Sequence, residues 1–344
     1  MGSSAIDEAS ILAQFDRLVE NGTVLYAPGM KKIYYTDGGF KFEFRLTSAL
    51  KTKPAAVGGN SELDDAKDDA GGEGGAAEEA RGAYGTDADG CLPGGDISIA
   101  GFEVAPVRGT HVLAFNKFCA YRPHLLLLTA DGRRRQFEAL DAGDLAAARD
   151  VLLGLNGAGG RGGDGGAGRS GQQEYLVIFN CGREGGCSRL HKHMQVIPAP
   201  DAIPLWPDTV TSPTAAEGAQ GEPPFRYSVQ RFGPGGGNEA GEVPSAEDLA
   251  ARYRSMLLEA TRAVPGRESV VGEDGDGKGV AVPHNVILGR RWIVVVPRRR
   301  ADVDGAGVNA AGMLGVVWAA GDETVDTWRG RGPRWILGEV GVRK

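Results

Sequence analysis

The chain has 344 residues, enough for one large domain with a sizeable core, and 41% of its residues are hydrophobic. Its 55 glycines follow no three-residue period, which excludes a collagen-like fibre, and their clustering is typical of insertions in an ordinary fold. The net charge of −7 is concentrated in residues 61–81, which carry eight acids and two bases. An anionic substrate therefore remains possible, whereas a nucleic-acid-binding face is disfavoured.

The four cysteines and the hydropathy pattern indicate a compartment. Cys91, Cys119, Cys181 and Cys187 show no spacing typical of a disulfide framework. The first residues lack a secretory apolar run, and no stretch of 18 apolar residues occurs. We therefore expect a soluble, cytoplasmic protein without a membrane partner, although an organelle is left open.

Hydrophobic periodicity predicts the elements in chain order. A helix is predicted over residues 4–20 and a strand over residues 40–46. Further strands are predicted at 111–118, 124–129, 175–180, 190–197 and 225–232, with two more within 282–296. Helices are predicted at 141–155, capped by Asp141, and at 245–264, with a capping box of Ser245 and Asp248. Gly-rich, apolar-poor insertions predicted to be disordered fall at about 54–92, 157–171, 211–224, 233–243 and 265–280. These patterns predict a single α+β catalytic domain over 1–344, with an open, mostly antiparallel sheet and packed helices.

A Gly-rich loop between two predicted strands has the composition of a phosphate site. The loop runs from Asn180 to Arg189 and contains three glycines. Glycine lets backbone N–H groups approach a ligand closely, and nests of such groups bind phosphate. Ser188 adds a hydroxyl, and Arg189 a guanidinium fork suited to phosphate oxygens.

The strand that follows this loop presents two imidazoles and an amide. Side chains alternate along a strand, so His191, His193 and Gln195 are predicted to share one face, opposite Lys192 and Met194. A neutral imidazole is a good nucleophile near pH 7, and attack on phosphorus would give a phosphoramidate. The Gln195 amide could donate to the phosphoryl oxygen on which charge develops. Loop and strand together predict nucleotidyl transfer through His193.

Two other interpretations of the same residues stay open at this point. Cys181, Cys187, His191 and His193 could form a zinc site, although their spacing matches none of the usual zinc patterns. The histidines could also be a purely structural pair.

The motif, together with other segments of the chain, resembles a known family. His-x-His-x-Gln after an Asn-Cys-Gly…Gly-x-Ser-x loop resembles the diadenosine tetraphosphate phosphorylases (ATP adenylyltransferases) of the histidine-triad and galactose-1-phosphate uridylyltransferase superfamily. Other segments are similar to that family over most of the chain: residues 51–54, 116–117, 284–298 and 307–312.

The resemblance implies a fold, a reaction and a set of contacts. The fold would be the open sheet with helices, and the reaction would convert diadenosine tetraphosphate and phosphate reversibly into ATP and ADP. His193 would carry the adenylyl group, the backbone at His191 would orient its ring, and Gln195 would hold the phosphate. Substrate contacts would fall at Lys53, Asn116, Lys117, Asn180, Gly186, Cys187, Ser188, Arg189, Gln195, Asn309, Ala310 and Ala311. We expect Mg²⁺ or another divalent cation to accompany the nucleotide without a dedicated protein cage.

Several features depart from the family pattern or leave its function open. Arg189 stands where the family often has Gln, and Val316 and Ala320 align with a family Met and Lys. A related transferase acting on a sugar phosphate or sulfate, a hydrolase, and a non-catalytic dinucleotide sensor remain alternatives. The sequence leaves the oligomeric state undetermined.

The remaining polar residues carry little signal in the sequence. His111, His124 and His284 each start a predicted strand and are expected to be structural. The basic run at 298–300 is expected to be a solvated strand border. Asp96 is an isolated acid with no readable role.

Overall fold

The computed structural model describes six stretches of the chain. They comprise residues 6–53, 84–156, 173–210, 221–233, 243–266 and 282–344. The predicted insertion at 157–171 lies outside these residues, as do most of the other four.

The end of the first predicted insertion differs from the expectation. Residues 84–92 are described, and Leu92 is buried against Ile99 and Val112 in a small hydrophobic cluster. The Asp87 side chain accepts the backbone N–H of Cys91, which closes a local turn. The predicted boundary at residue 92 is therefore wrong, because a side-chain-capped turn needs no long apolar run.

Each predicted strand lies close to a strand of the structure. In chain order the strands are β1 (Lys32–Asp37), β2 (Phe40–Leu46), β3 (Glu103–Val107), β4 (His111–Phe115), β5 (Leu125–Thr129), β6 (Tyr175–Cys181), β7 (His193–Pro198), β8 (Ser228–Arg231), β9 (His284–Leu288), β10 (Trp292–Pro297), β11 (Asp302–Val303), β12 (Ala306–Gly307) and β13 (Val316–Ala319). Of these, β1, β3, β11, β12 and β13 were not predicted. Eight of them form the main sheet in the order β3-β4-β5-β7-β6-β9-β10-β8, with every neighbouring pair antiparallel. A second sheet, β1-β2-β13, contains one parallel pair. The predicted α+β fold with a mostly antiparallel sheet is confirmed.

The helices cover both faces of the main sheet. They are α1 (Glu8–Glu20), α2 (Ala142–Leu155), α3 (Trp206–Thr209), α4 (Ala246–Ala263), α5 (Ala310–Met313), α6 (Asp322–Arg331) and α7 (Pro333–Val340), with a short 3₁₀ helix at Ser48–Thr52. Side chains of α1, α2 and α4 form one hydrophobic cluster with one face of the sheet. The second sheet, α5, α6 and α7 form another with the opposite face.

The helix starts follow the predicted caps. Asp141 caps α2 in a complete capping box with Asp144, and Ser245 accepts the Asp248 N–H at the start of α4. Each cap satisfies a backbone donor that the first turn would leave unpaired. Among the described residues, none of the helices is long and apolar enough to cross a membrane.

Candidate functional site

His193 is the first residue of β7, and its imidazole is held in a single tautomer. Its Nδ1 lies 2.8 Å from the backbone oxygen of His191. A carbonyl oxygen can only accept, so Nδ1 carries the proton and Nε2 keeps the free lone pair. The backbone at His191 thus orients the ring as the sequence predicts.

The surroundings of His193 keep its ring neutral. Burial lowers its pKa to about 4, and the charge of Lys53 contributes to the lowering, while Asp96 partly opposes it. The ring is only 8% exposed. At pH 7 the imidazole is therefore uncharged and nucleophilic.

The predicted alternation is confirmed for residues 192–195, whereas His191 precedes β7, which begins at His193. Gln195 faces the side of the second sheet, where its amide oxygen lies 2.8 Å from Nε2 of His124. Met194 packs in the opposite, helix-side cluster. Lys192 also turns that way and forms a buried ion pair of 2.6 Å with Asp144.

Asp144 is the centre of a buried network that ties β7 to α2. Its second oxygen accepts from Nε2 of His111 at 3.0 Å. Burial alone would raise the pKa of Asp144, but His111 and Lys192 outweigh it and hold the pKa well below its usual range. His111 is structural, as the sequence predicts, and the network anchors the strand that carries His193.

Gln136 bridges β6 and β7 where the two strands separate. Their ladder pairs Ile178 with Gln195 and ends there, before His193. The buried Gln136 amide fills the gap: its oxygen accepts the His193 N–H at 2.7 Å, and its nitrogen donates to the carbonyls of His193 and Asn180 at 3.0 Å each. Sequence reasoning missed this residue because nothing in its neighbourhood marks it.

Asp96 holds the backbone just before His193. Its two oxygens accept the N–H groups of Leu190 and His191, each at 2.9 Å. Charge-assisted bonds of this kind are stronger than neutral ones. Asp96, which carried no signal in the sequence, fixes the peptide next to the carbonyl that orients His193.

The His191 ring is packed rather than exposed. Its Nε2 lies 2.9 Å from the backbone oxygen of Thr129 and 3.1 Å from the hydroxyl of the same residue. Gly95 lies directly over the ring, where an added Cβ would stand 2.7 Å from Nδ1. His191 therefore supports the site through its backbone carbonyl.

The Gly-rich loop lies against the C-terminal segment that the sequence assigned to substrate contact. Gly186 has a φ of +87°, and a Cβ there would stand 2.5 Å from the Val308 oxygen and 3.1 Å from Cα of Asn309. Only glycine permits both this conformation and this approach. The loop thus lies against Val308 and Asn309, beside the substrate contacts that the resemblance implies.

Asn180 joins the same two segments. Its side-chain oxygen accepts the Ala310 N–H at 2.8 Å and the Asn285 amide at 2.9 Å. The Ala310 N–H is thereby engaged within the protein, and the side chains of Ala310 and Ala311 are buried. Asn309 caps α5 by accepting from Gly312 at 3.0 Å.

Arg298 is buried beneath the loop, and the expectation of a solvated strand border at 298–300 is wrong for it. It is 1% exposed and donates to the Asn285 amide oxygen and to carbonyls that include those of Gly185 and Val308. Burial lowers its pKa to about 9, so it stays charged at pH 7. Five oxygen acceptors offset the cost of burying this guanidinium. Most of them come from other parts of the chain, so the basic run in the sequence does not reveal them.

Lys53 adds positive charge near His193. Partial desolvation of the ammonium and the charge of Arg189 lower the pKa of Lys53. The charge of Lys53 in turn lowers the pKa values of both His193 and His124. Lys53 therefore lies near both rings and Arg189 lies near Lys53, whereas Lys117 is exposed with its ammonium 5.9 Å from the Phe118 ring centroid.

The other predicted contacts are placed as follows. Asn116 directs its amide nitrogen at the His124 ring, 3.3 Å from Nε2. Cys187 and Ser188 lie half-buried in the loop, and burial raises the pKa of the Cys187 thiol to about 12. Val316 is buried in the second-sheet cluster at the start of β13.

The geometry does not fit the zinc interpretation. Cys181 packs in the helix-side cluster and its thiol lies 3.4 Å from the Phe137 oxygen, whereas His193 faces the other side of the sheet. Within the described stretches, no group of three or more His, Cys, Asp or Glu residues is placed to hold a metal ion.

Two family models match successive parts of the chain. The Ap4A phosphorylase N-terminal domain matches residues 87–213, and the ATP adenylyltransferase C-terminal domain matches residues 222–343. His193 and Gln195 fall in the first match, and Asn309 falls in the second.

Individual proteins are similar to the chain. Diadenosine 5',5'''-P1,P4-tetraphosphate phosphorylase 2 of Saccharomyces cerevisiae is 28% identical over 220 residues, 61% of this chain and 62% of that protein. Protein APA1 of the same yeast is 27% identical over 221 residues, with the same coverage of both chains. The chain thus spans 62% of the length of these two relatives.

Solved structures show the same fold. The crystal structure of yeast Ap4A phosphorylase Apa2 has a TM-score of 0.66 at 18% identity and covers 100% of this chain and 99% of its own. The same protein in complex with Ap4A has a TM-score of 0.63 at 20% identity, with 100% and 99% covered. Together with the two family models, which lie in the order of the family's own domains, these similarities show that the chain belongs to the Ap4A phosphorylase (ATP adenylyltransferase) family.

Proposed function

We propose that the protein cleaves diadenosine tetraphosphate with phosphate, reversibly, to ATP and ADP through an adenylyl-His193 intermediate. The observation that carries this proposal is the His193 ring. Its Nδ1–H is tied to the His191 oxygen, its pKa is about 4, and its Nε2 lone pair is therefore available at neutral pH.

The first step forms and breaks one bond each at phosphorus. The Nε2 lone pair attacks the α-phosphorus of one adenylyl group, and the P–O bond to the triphosphate breaks, so that ATP leaves with the bonding electrons. The imidazole becomes cationic, and its Nδ1–H bond to the His191 carbonyl strengthens as that charge develops. Lys53 and Arg189 offer positive charge to the polyphosphate.

The second step returns the enzyme to its starting state. A phosphate oxygen attacks the same phosphorus from solvent, the N–P bond breaks, and ADP leaves while the electron pair returns to Nε2. In both steps of this proposal the Gln195 amide, whose oxygen lies 2.8 Å from Nε2 of His124, donates from its NH₂ group to the phosphoryl oxygens. We further propose that Mg²⁺ or another divalent cation is bound by the phosphates of the nucleotide, which removal with EDTA and restoration of the cation would test.

Product analysis tests the reaction directly. Diadenosine tetraphosphate and Mg²⁺ are supplied with and without phosphate, and ATP plus ADP are expected only when phosphate is present. ATP plus AMP, or two ADP, formed without phosphate would instead indicate a hydrolase. No turnover would reject the proposal and favour a sugar-nucleotide or adenylyl-sulfate substrate, or a sensor.

A matched substitution tests the nucleophile. The amide nitrogen of His193→Asn overlaps Nδ1 and keeps the bond to the His191 oxygen, but nothing replaces Nε2. We expect this variant to fold and bind nucleotide while its turnover and its acid-labile labelling by α-labelled substrate are lost. Turnover at the wild-type rate would remove His193 from the mechanism and leave the loop as a binding site.

A further inference from the structure

We propose that His124 is a positioning residue for the reaction, which fixes the amide of Gln195 with its NH₂ group directed at the phosphoryl oxygens. The inference rests on the proposed function, since it assigns a partner to a group that this function requires. The Nε2 atom of His124 lies 2.8 Å from Oε1 of Gln195. The sequence offered only a structural role for this histidine.

The tautomer of His124 follows from the groups that face its other nitrogen. The Ala120 backbone N–H, which can only donate, lies 3.5 Å from Nδ1. The Asn116 amide nitrogen lies 3.4 Å from Nδ1 and 3.3 Å from Nε2, so it does not distinguish the two ring nitrogens. The Asn116 amide orientation is itself fixed, because its oxygen accepts the Phe118 N–H at 3.2 Å. Nδ1 therefore accepts from the Ala120 N–H, which places the ring proton on Nε2, the nitrogen that faces the Gln195 oxygen.

The ring carries only that one proton at neutral pH. Burial lowers the pKa of His124 to about 4, and the charge of Lys53 contributes to the lowering. Two aromatic rings pack edge-on against it, Tyr121 at 5.8 Å and Trp318 at 5.2 Å between centroids. His124 is 0% exposed, so the ring cannot flip without moving both neighbours.

The consequence concerns the direction of the Gln195 amide. A glutamine side chain presents an oxygen or an NH₂ group after a half-turn, and only the NH₂ end can donate to phosphate. The Nε2–H of His124 can donate only to the oxygen, so the NH₂ end is turned away from it. His193 lies two residues earlier on the same face of β7, so the donor is presented beside the nucleophile.

Two substitutions of similar size separate donation from packing. The amide nitrogen of His124→Gln reaches the place of Nε2 and keeps the donor, whereas His124→Leu removes it. Loss of a whole oxyanion donor lowers kcat by about 10²–10³-fold. In His124→Leu the Gln195 donor remains but points away from the phosphoryl oxygens for part of the time, so we expect kcat to fall by only about tenfold. His124→Gln should retain most of the kcat, and KM should change little in either variant.

A double-mutant cycle with Gln195→Ala decides between positioning and structural support. If His124 acts through Gln195, His124→Leu should cost less than about twofold in kcat in the Gln195→Ala background. An equal loss in both backgrounds, or equal activity of His124→Leu and His124→Gln, would overturn the proposal. Wild-type kcat in Gln195→Ala would overturn it as well, whereas phosphorolysis by the wild-type protein tests the proposed function separately.

The tautomer can be measured without any activity or substitution. In a protein labelled with ¹⁵N-histidine, long-range proton–nitrogen spectra distinguish a protonated from an unprotonated ring nitrogen. We expect the His124 spin system to report Nε2–H at pH 7. A ring protonated at Nδ1 would overturn the proposal even if the variants failed to fold.

Discussion

Replacing Gln136 by methionine removes the three hydrogen bonds that bridge the separating strands, without changing the length of the side chain. The bonds are 2.7 Å and 3.0 Å to the His193 backbone and 3.0 Å to the Asn180 oxygen. Gln136 is 1% exposed, so water has little access to replace them.

The expected loss of stability follows from those three bonds. At about 1 kcal/mol net for each, the loss is about 3 kcal/mol, and burial of the thioether offsets on the order of 1 kcal/mol of it. For a chain of this size the net loss corresponds to a fall in Tm of roughly 3 °C. The backbone of His193 also loses its lateral support, and a shift of about 1 Å at a nucleophile costs about 10²-fold in rate.

Thermal unfolding and steady-state phosphorolysis, measured well below the Tm, give the two readouts. Gln173→Met is the matched control, because the Gln173 amide also donates to two carbonyls, Glu174 and Ala199, at the other end of the β6–β7 pair. Its side chain is half-buried, so water can replace the bonds and the kcat should be unchanged. If Gln136→Met kept the wild-type Tm and kcat, the bridge would have no role in holding His193.

Three further perturbations have defined outcomes. Burial lowers the pKa values of His124, His193 and His284 to about 4, below the value of about 6.5 for an unfolded histidine. The unfolded chain therefore binds more protons between these pH values, and the Tm should fall as the pH drops from 6.5 toward 4. A Tm that stayed level over this range would contradict the burial of these rings as neutral groups. Asp96→Asn keeps one acceptor for the two N–H groups of Leu190 and His191 and should lower kcat about tenfold. An unchanged kcat would show that the second acceptor is not needed to hold this backbone. Arg298→Lys offers three donors for five carbonyl-type partners and should lower the Tm by several degrees, whereas exposed Arg299→Lys should not; equal Tm values would refute the buried role.

The sequence predicted most strands of the main sheet and the face on which His193 lies, because both depend on the two-residue alternation of side chains along a strand. Alternation over five residues placed His193 and Gln195 on one face and Met194 on the other, and the structure confirms it. The capped starts of α2 and α4 were also readable, since a cap and its partner lie three residues apart.

Other boundaries could not be predicted in this way. Residues 84–92 look like part of a Gly-rich insertion by composition, yet Asp87 closes a turn that lets Leu92 pack with Ile99. Arg298 shares a basic run with its neighbours, and only the fold shows that carbonyls surround it. Composition averages over a window, whereas each of these outcomes depends on one residue and its partner.

The supports of the nucleophile were missed for a related reason. Gln136 lies 57 residues from His193, His124 lies 71 residues from Gln195, and Asp96 lies 95 residues from His191. Each belongs to a different strand end or loop, and only pairing of β5 and β6 with β7 brings them to one place. A reacting group is recognisable from its own strand, but the groups that fix its tautomer, backbone and neighbouring amide come from the topology of the sheet. Substitutions at those distant positions should therefore change the rate of the same reaction, whereas substitution of His193 should change whether it occurs.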